Sequence, residues 1–112
     1  MSQKKNYLYE IGRQSAADYF FLLGHCERMA ILSTLDRFGP TSFKGLLLNS
    51  PLSKSSLTHH IKLLKGSRLI NSCQIGKGSG YSLNEEAIGF ATRLMKAYLS
   101  RLGSSNVSAK AA

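Results

Sequence analysis

Residues Ser53 to Lys65, Ser-Lys-Ser-Ser-Leu-Thr-His-His-Ile-Lys-Leu-Leu-Lys, constrain the fold more than any other stretch. At about 100° per residue, Leu57, Ile61 and Leu64 fall on one side of a helix, and Ser55, Thr58, His59 and Lys62 on the other. One face must be buried against other elements. The opposite face carries hydroxyls, an imidazole and an ammonium, with no acid to repel a polyanion and few long side chains to hold it out of a groove. These are the properties expected of a DNA recognition helix.

The flanking segments narrow the fold further. A helix is predicted from about Cys26 to Phe38, with Met29, Ile31, Leu32 and Leu35 apolar, and Gly39-Pro40 stops it. Thr41 or Ser42 can cap a short helix from Phe43 to Leu48, whose leucines are expected to face the core. Asn49-Ser50-Pro51 ends it, because proline lacks an N–H and pushes its neighbour out of the α region; Ser53 is then placed to cap the next helix. A short helix, a tight turn and a second helix with a polar outer face form a helix-turn-helix. Beyond it, Leu69 to Ile75 and Tyr81 to Leu83 read as extended runs joined by the loop Gly76-Lys77-Gly78-Ser79-Gly80. Such a hairpin is the wing of a winged helix, with Lys77 near its tip, in reach of the minor groove or a phosphate.

Residues 1–6 read as a flexible basic arm. Apolar residues at Leu8, Ile11, Tyr19, Phe20 and Leu23 predict a first helix from Tyr7 to Gly24, although Gly12 and Ser15 weaken its middle. Asn84 can cap a last helix, with Glu85 and Glu86 in the first turn, where the helix dipole favours negative charge. Ile88, Ala91, Leu94, Met95, Tyr98 and Leu102 form its apolar stripe; Gly103 is expected to end it and residues 103–112 to be a disordered tail. The expected domain is therefore 7–102, mainly α with one small β-hairpin (α+β). Its first and last helices carry more apolar surface than so small a core requires, and are expected to form a homodimer interface.

Charge supports the placement of the nucleic-acid face. Of the net +9, the segment from Arg37 to Asn84 carries +7, through Arg37, Lys44, Lys54, Lys62, Lys65, Arg68 and Lys77, and contains no acid. Such asymmetry is the footprint expected of a surface that meets phosphates or an anionic membrane. The apolar run Tyr19 to Leu23 is far shorter than a signal h-region or a membrane span, so a cytoplasmic protein with no membrane partner is expected.

Two stretches resemble a known family. Leu23-Gly24-His25-Cys26-Glu27-Arg28-Met29-Ala30-Ile31-Leu32 looks like the opening of the ArsR/SmtB winged-helix repressors of bacteria, "leucine, small, Asp-Pro-Thr-Arg, Leu-x-Ile-Leu". Leu52 to Leu64 is similar to their recognition segment, "Leu-Ser-x-Ser-x-Val-Ser-x-His-Leu-x-x-Leu", and is the more specific match. The resemblance implies a homodimeric repressor, nucleoid-associated when bound to an inverted repeat in double-stranded DNA and released by a signal. By position, Ser53, Lys54, Ser55, Ser56, Thr58, His59 and Lys62 would contact bases or phosphates, and Lys77 would belong to the wing contact. His60 matches the family's histidine but lies toward the apolar edge, which favours a supporting role.

The departures bear on the signal. The helix before the turn, Phe43-Lys44-Gly45-Leu46-Leu47-Leu48, lacks the Cys-x-Cys pair of the family's arsenic, cadmium and lead sensors. The last helix offers Glu85 and Glu86 but no histidine after them, unlike the zinc and nickel sensors. The three histidines read as poorly distributed for zinc, so no metal and no cofactor is expected. The sequence does not name the releasing signal; thiol oxidation is expected ahead of metal, with Cys26 and Cys73 as the residues to test. Cys26 fits the second-helix half of the family's cysteine pairs, Cys73 falls on the wing, and the default for both is a buried, inert thiol.

An enzyme is disfavoured. Gly76 to Gly80 lacks phosphate-loop spacing, no acid lies between Asp36 and Glu85, no nucleophile–base constellation is visible, and no small-molecule substrate is expected. The alternative is a winged-helix interaction module whose basic face holds an acidic partner protein.

Overall fold

A computed structural model describes the backbone of residues 2–111 and the side chains of residues 12–102. The order is α1 (Ser2–Leu23), α2 (Cys26–Phe38), α3 (Phe43–Leu48), α4 (Lys54–Gly66), β1 (Ile70–Ile75), β2 (Gly78–Leu83) and α5 (Glu85–Ala111). Two compact units result, Leu22–Ile88 and a second made by the remaining parts of α1 and α5.

In the Leu22–Ile88 unit, local chemistry sets each helix boundary. His25 caps α2 by accepting the Glu27 N–H on Nδ1 at 3.1 Å, and Gly39, at φ +78°, closes it by donating to the Leu35 carbonyl. Ser42, not Thr41, caps α3, accepting from the Gly45 N–H at 3.0 Å. Asn49 ends α3, and the chain turns through Ser50 and Pro51 to Ser53, whose Oγ accepts the Ser56 N–H at the start of α4. The far end of α4 is a Schellman motif: Leu69 N–H bonds to Leu64 O and Arg68 N–H to Lys65 O. Arg68 takes the left-handed position, φ +68°, that glycine usually fills.

The core of this unit is built from Ile31, Leu32 and Leu35 of α2, Leu46 of α3, Leu57, Ile61 and Leu64 of α4, and Leu69 and Ile70 beneath the wing. Burying each of the three α4 side chains contributes roughly 1.5–3 kcal/mol, and Leu57→Ala would remove about 2–5 kcal/mol by leaving a cavity. Of the α3 leucines only Leu46 is buried, whereas Leu48 is 75% exposed. Three consecutive leucines on a helix point about 100° apart and cannot all face one core.

The wing pairs antiparallel from Ile70↔Leu83 to Ile75↔Gly78. Its turn is therefore Gly76-Lys77 alone, shorter than the five-residue loop expected, and Gly76 takes φ +58° as the first turn residue. Gly78-Ser79-Gly80 belongs to β2. A single bridge, Thr41↔Tyr81, adds the loop before α3 to the outer edge of that strand.

In the other unit, Ala16 of α1 and Ala91 of α5 are each 2% exposed, and Tyr19 meets Phe90 edge to face with ring centroids 6.5 Å apart. Asn84 caps α5 through its Oδ1, which accepts the Ala87 N–H at 3.2 Å. Both outer helices exceed the spans expected: α1 starts at Ser2, inside the supposed arm, and α5 continues through Gly103 to Ala111. One glycine costs a helix about 1 kcal/mol relative to alanine, too little to stop it when no proline follows. Among the described residues no helix is long and apolar enough to cross a membrane.

Candidate nucleic-acid interface

The buried side of α4 fixes what its other side presents. With Leu57 and Leu64 fully buried and Ile61 3% exposed, Lys54, Ser55, Thr58, His59 and Lys62 all reach solvent from one helix. Ser53 is exposed at the cap, while Ser56 is only half-exposed. Their hydroxyls are linked, Ser53 Oγ donating to Ser56 Oγ at 3.1 Å, with Ser55 Oγ 3.3 Å from Ser53 Oγ. These three serines therefore serve the helix start as well as its surface.

Thr58 donates its hydroxyl proton to the Lys54 carbonyl at 2.8 Å. What it has left to offer outward is a methyl group and oxygen lone pairs, suited to a thymine methyl or an exocyclic amine. Lys77 stands exposed at the wing turn. Between α4 and the wing strand β2, Thr58, Ile61, Lys62, Lys65, Phe43 and Tyr81 line an open cavity of about 270 Å³. Lys65 and Arg68, both exposed, extend the basic surface beyond the residues predicted from the motif.

Behind this surface lie two polar residues that the reading of the sequence did not pair. His60 is 7% exposed and Arg28 5%, and Arg28 Nη1 lies 3.1 Å from His60 Nδ1. Arg28 Nε also donates to the Leu22 carbonyl near the end of α1. Periodicity carried the signal: Arg28 shares a stripe with Ile31, Leu32 and Leu35, and His60 with Leu57, Ile61 and Leu64. Burial is the main reason that the His60 pKa lies below the ordinary 6.5, followed by the charges of His25, Arg28 and His59, with Glu27 pulling the other way.

The histidines are closer than their sequence positions suggest, with the His25 and His60 ring centroids 4.3 Å apart and those of His59 and His60 5.7 Å apart. Among the described residues no group of three or more His, Cys, Asp or Glu is arranged to hold a metal ion. Cys26 and Cys73 are free thiols; Cys73 is half-buried on β1, but Cys26 is exposed at the first residue of α2, contrary to the buried thiol expected there. At about 100° per residue Cys26 falls on the side of α2 opposite its buried stripe of Arg28, Ile31, Leu32 and Leu35.

No family model matches the sequence, and no curated protein matches it significantly. Solved structures do share its fold. One described as an ArsR-like transcriptional regulator from Rhodococcus sp. RHA1 is similar with a TM-score of 0.73 at 20% identity, over 88% of this chain and 92% of that one. The chain has the ArsR-like winged-helix fold. The same ArsR-like architecture is found in reduced HlyU from Vibrio cholerae N16961, at 24% identity and a TM-score of 0.61, over 80% of this chain and 95% of that one. NolR from Sinorhizobium fredii, at 21% identity, also reaches 0.61, over 88% of this chain and 94% of that one. At such identities the likeness is one of fold.

Proposed function

We propose that this protein is a sequence-specific DNA-binding transcriptional regulator, a repressor of the ArsR type that binds an inverted-repeat operator as a homodimer. The observation that carries the reading is the exposed face of α4: Lys54, Ser55, Thr58, His59 and Lys62 stand together on a helix anchored by buried Leu57, Ile61 and Leu64. No acid lies between Asp36 and Glu85 to oppose a phosphate backbone. Ser53, Lys54, Ser55, Ser56, Thr58, His59 and Lys62 make the major-groove contacts, and Lys77 contacts the backbone or minor groove from the wing. Lysines supply affinity through counterion release, and the short polar side chains supply discrimination at base edges.

Dimerisation is supported by exposed apolar side chains on α1 and α5, among them Phe20 at 40% exposure, Phe90 at 53% and Leu99 at 56%. Release by thiol oxidation rests on Cys26, whose exposure gives an oxidant access; an unchanged mass at both cysteines after mild peroxide treatment would remove it.

Selection of bound duplexes from random DNA tests the reading. An inverted repeat with half-sites about 10–10.5 bp apart, centre to centre, is expected of a dimer whose recognition helices lie one helical turn apart. Absence of any enriched motif would favour the rival, a winged helix that holds an acidic partner protein.

A further inference from the structure

Behind the recognition helix the buried His60 ring lies against the ring of His25 and beside buried Arg28, with exposed His59 next to it on the same helix. Arg28 donates through Nε to the Leu22 carbonyl, and its Nη1 lies against His60 Nδ1. His25 lies against the His60 ring, tilted by 51°, and its own Nδ1 is committed to the α2 cap. Arginine has only donors, so Nδ1 of His60 must be the acceptor and its proton must sit on Nε2. A protonated His60 would turn an N–H toward the guanidinium and set two cations 3.1 Å apart in a buried position.

We infer that Arg28, supported by His25, is a positioning residue for the recognition helix, and that its contact with His60 holds only while His60 is neutral, so that proton uptake at this cluster releases DNA. This rests on the DNA-binding reading above. His60 sits one residue from His59 on the exposed face and one from buried Ile61. A displaced His60 ring therefore rotates or shifts the helix that carries Thr58, His59 and Lys62. Among the described residues, the charged and titratable groups that act on His60 are His25 at the α2 cap, Glu27 and Arg28 from α2 and His59 from its own helix. Of these only Glu27 favours the protonated form; burial and the other three oppose it. His59 works in the other direction on DNA, since a positive charge on the exposed face would tighten phosphate binding.

The test is the affinity for a duplex obtained by selection, measured by fluorescence anisotropy from about pH 5 to 8 at constant ionic strength. Wild-type protein should bind about tenfold less tightly at the acid end, the change one pKa unit of coupling produces, while circular dichroism shows it folded. His60→Gln supplies an amide oxygen to Arg28 and does not titrate; it should bind within about threefold of wild type at neutral pH and lose the acid drop. His25→Asn keeps a capping side chain on α2 and removes a charge that disfavours protonated His60, so its drop should move to higher pH. An acid drop in His60→Gln equal to that of wild type, no drop in wild type, or an unmoved midpoint in His25→Asn would overturn the inference. If no duplex binds at any pH, the DNA-binding reading fails instead. The dependence of the Arg28–His60 contact on a neutral His60 is then judged by thermal melting alone: His60→Gln should flatten the pH dependence of the melting temperature, and an unflattened profile would overturn it.

Discussion

Thr41 and Tyr81 exchange two backbone hydrogen bonds, Thr41 N–H to Tyr81 O at 3.0 Å and Tyr81 N–H to Thr41 O at 2.9 Å. The pairing brings the main chain before α3 directly over Gly80, where a β-carbon would stand 2.5 Å from the Thr41 carbonyl oxygen and also strike Ile75. Backbone on one side cannot yield without losing the bridge. Gly80→Ala is therefore expected to lower stability by about 1–3 kcal/mol, read from urea denaturation. A change of only a few tenths would mean that the bridge is not held in solution.

Ser53 combines a cap with a place on the DNA face, and two substitutions separate these roles. Ser53→Ala removes the acceptor for the Ser56 N–H and should cost about 1 kcal/mol of stability. Ser53→Asp keeps a capping acceptor and favours the N-terminal end of the dipole, so stability should hold. DNA affinity should nevertheless fall in Ser53→Asp, because the carboxylate faces phosphate. Equal DNA affinity in wild type and Ser53→Asp, measured by mobility shift, would remove Ser53 from the interface.

The His60 pKa gives stability a definite sign with pH. It is lowered from 6.5 in the folded chain, so below that value the unfolded chain binds more protons than the folded one. The contribution is fully present above the unfolded pKa of 6.5 and is lost as pH falls from there toward the folded value. Urea midpoints for wild type should decline across this window more steeply than those of His60→Gln. Parallel declines would assign the acid sensitivity to other groups.

Thr58 and His59 should matter for which sequence is bound, and Lys77 for how tightly any sequence is bound. Thr58→Ala or His59→Ala is expected to narrow the gap between selected and scrambled duplexes by about 1–3 kcal/mol. Lys77→Ala should weaken both duplexes alike and reduce the salt slope by about one. Competition assays with the two duplexes distinguish these patterns, and a selective loss with Lys77→Ala would reverse the roles.

The boundaries of α2, α3 and α4 could be read from the sequence because single residues set them: Gly39-Pro40 ends α2, Asn49 with Pro51 ends α3, and Ser53 starts α4, whereas those of α1 and α5 could not. The amphipathic split of α4 could be read for a similar reason, since Leu57, Ile61 and Leu64 mark one side unambiguously. Gly78 to Gly80 misled the reading of the wing. Glycine at position 80 answers to a close approach by Thr41, a contact across 39 residues that local composition does not express. The histidine cluster stayed hidden for the same physical reason: His25 and His60 are brought together by the packing of α2 on α4, not by spacing. Their helical stripes carried a partial signal, because a basic residue and an imidazole on two buried faces need partners.

The central claim, that the exposed face of α4 reads DNA from within a basic segment that carries no acid, is tested most directly by binding a selected duplex and a scrambled one across a salt series. A steep log–log decline with slope near −0.9 per phosphate neutralised is expected for both duplexes, with the selected duplex bound more tightly at every salt concentration. A flat salt dependence, or equal affinity for the two duplexes, would contradict it.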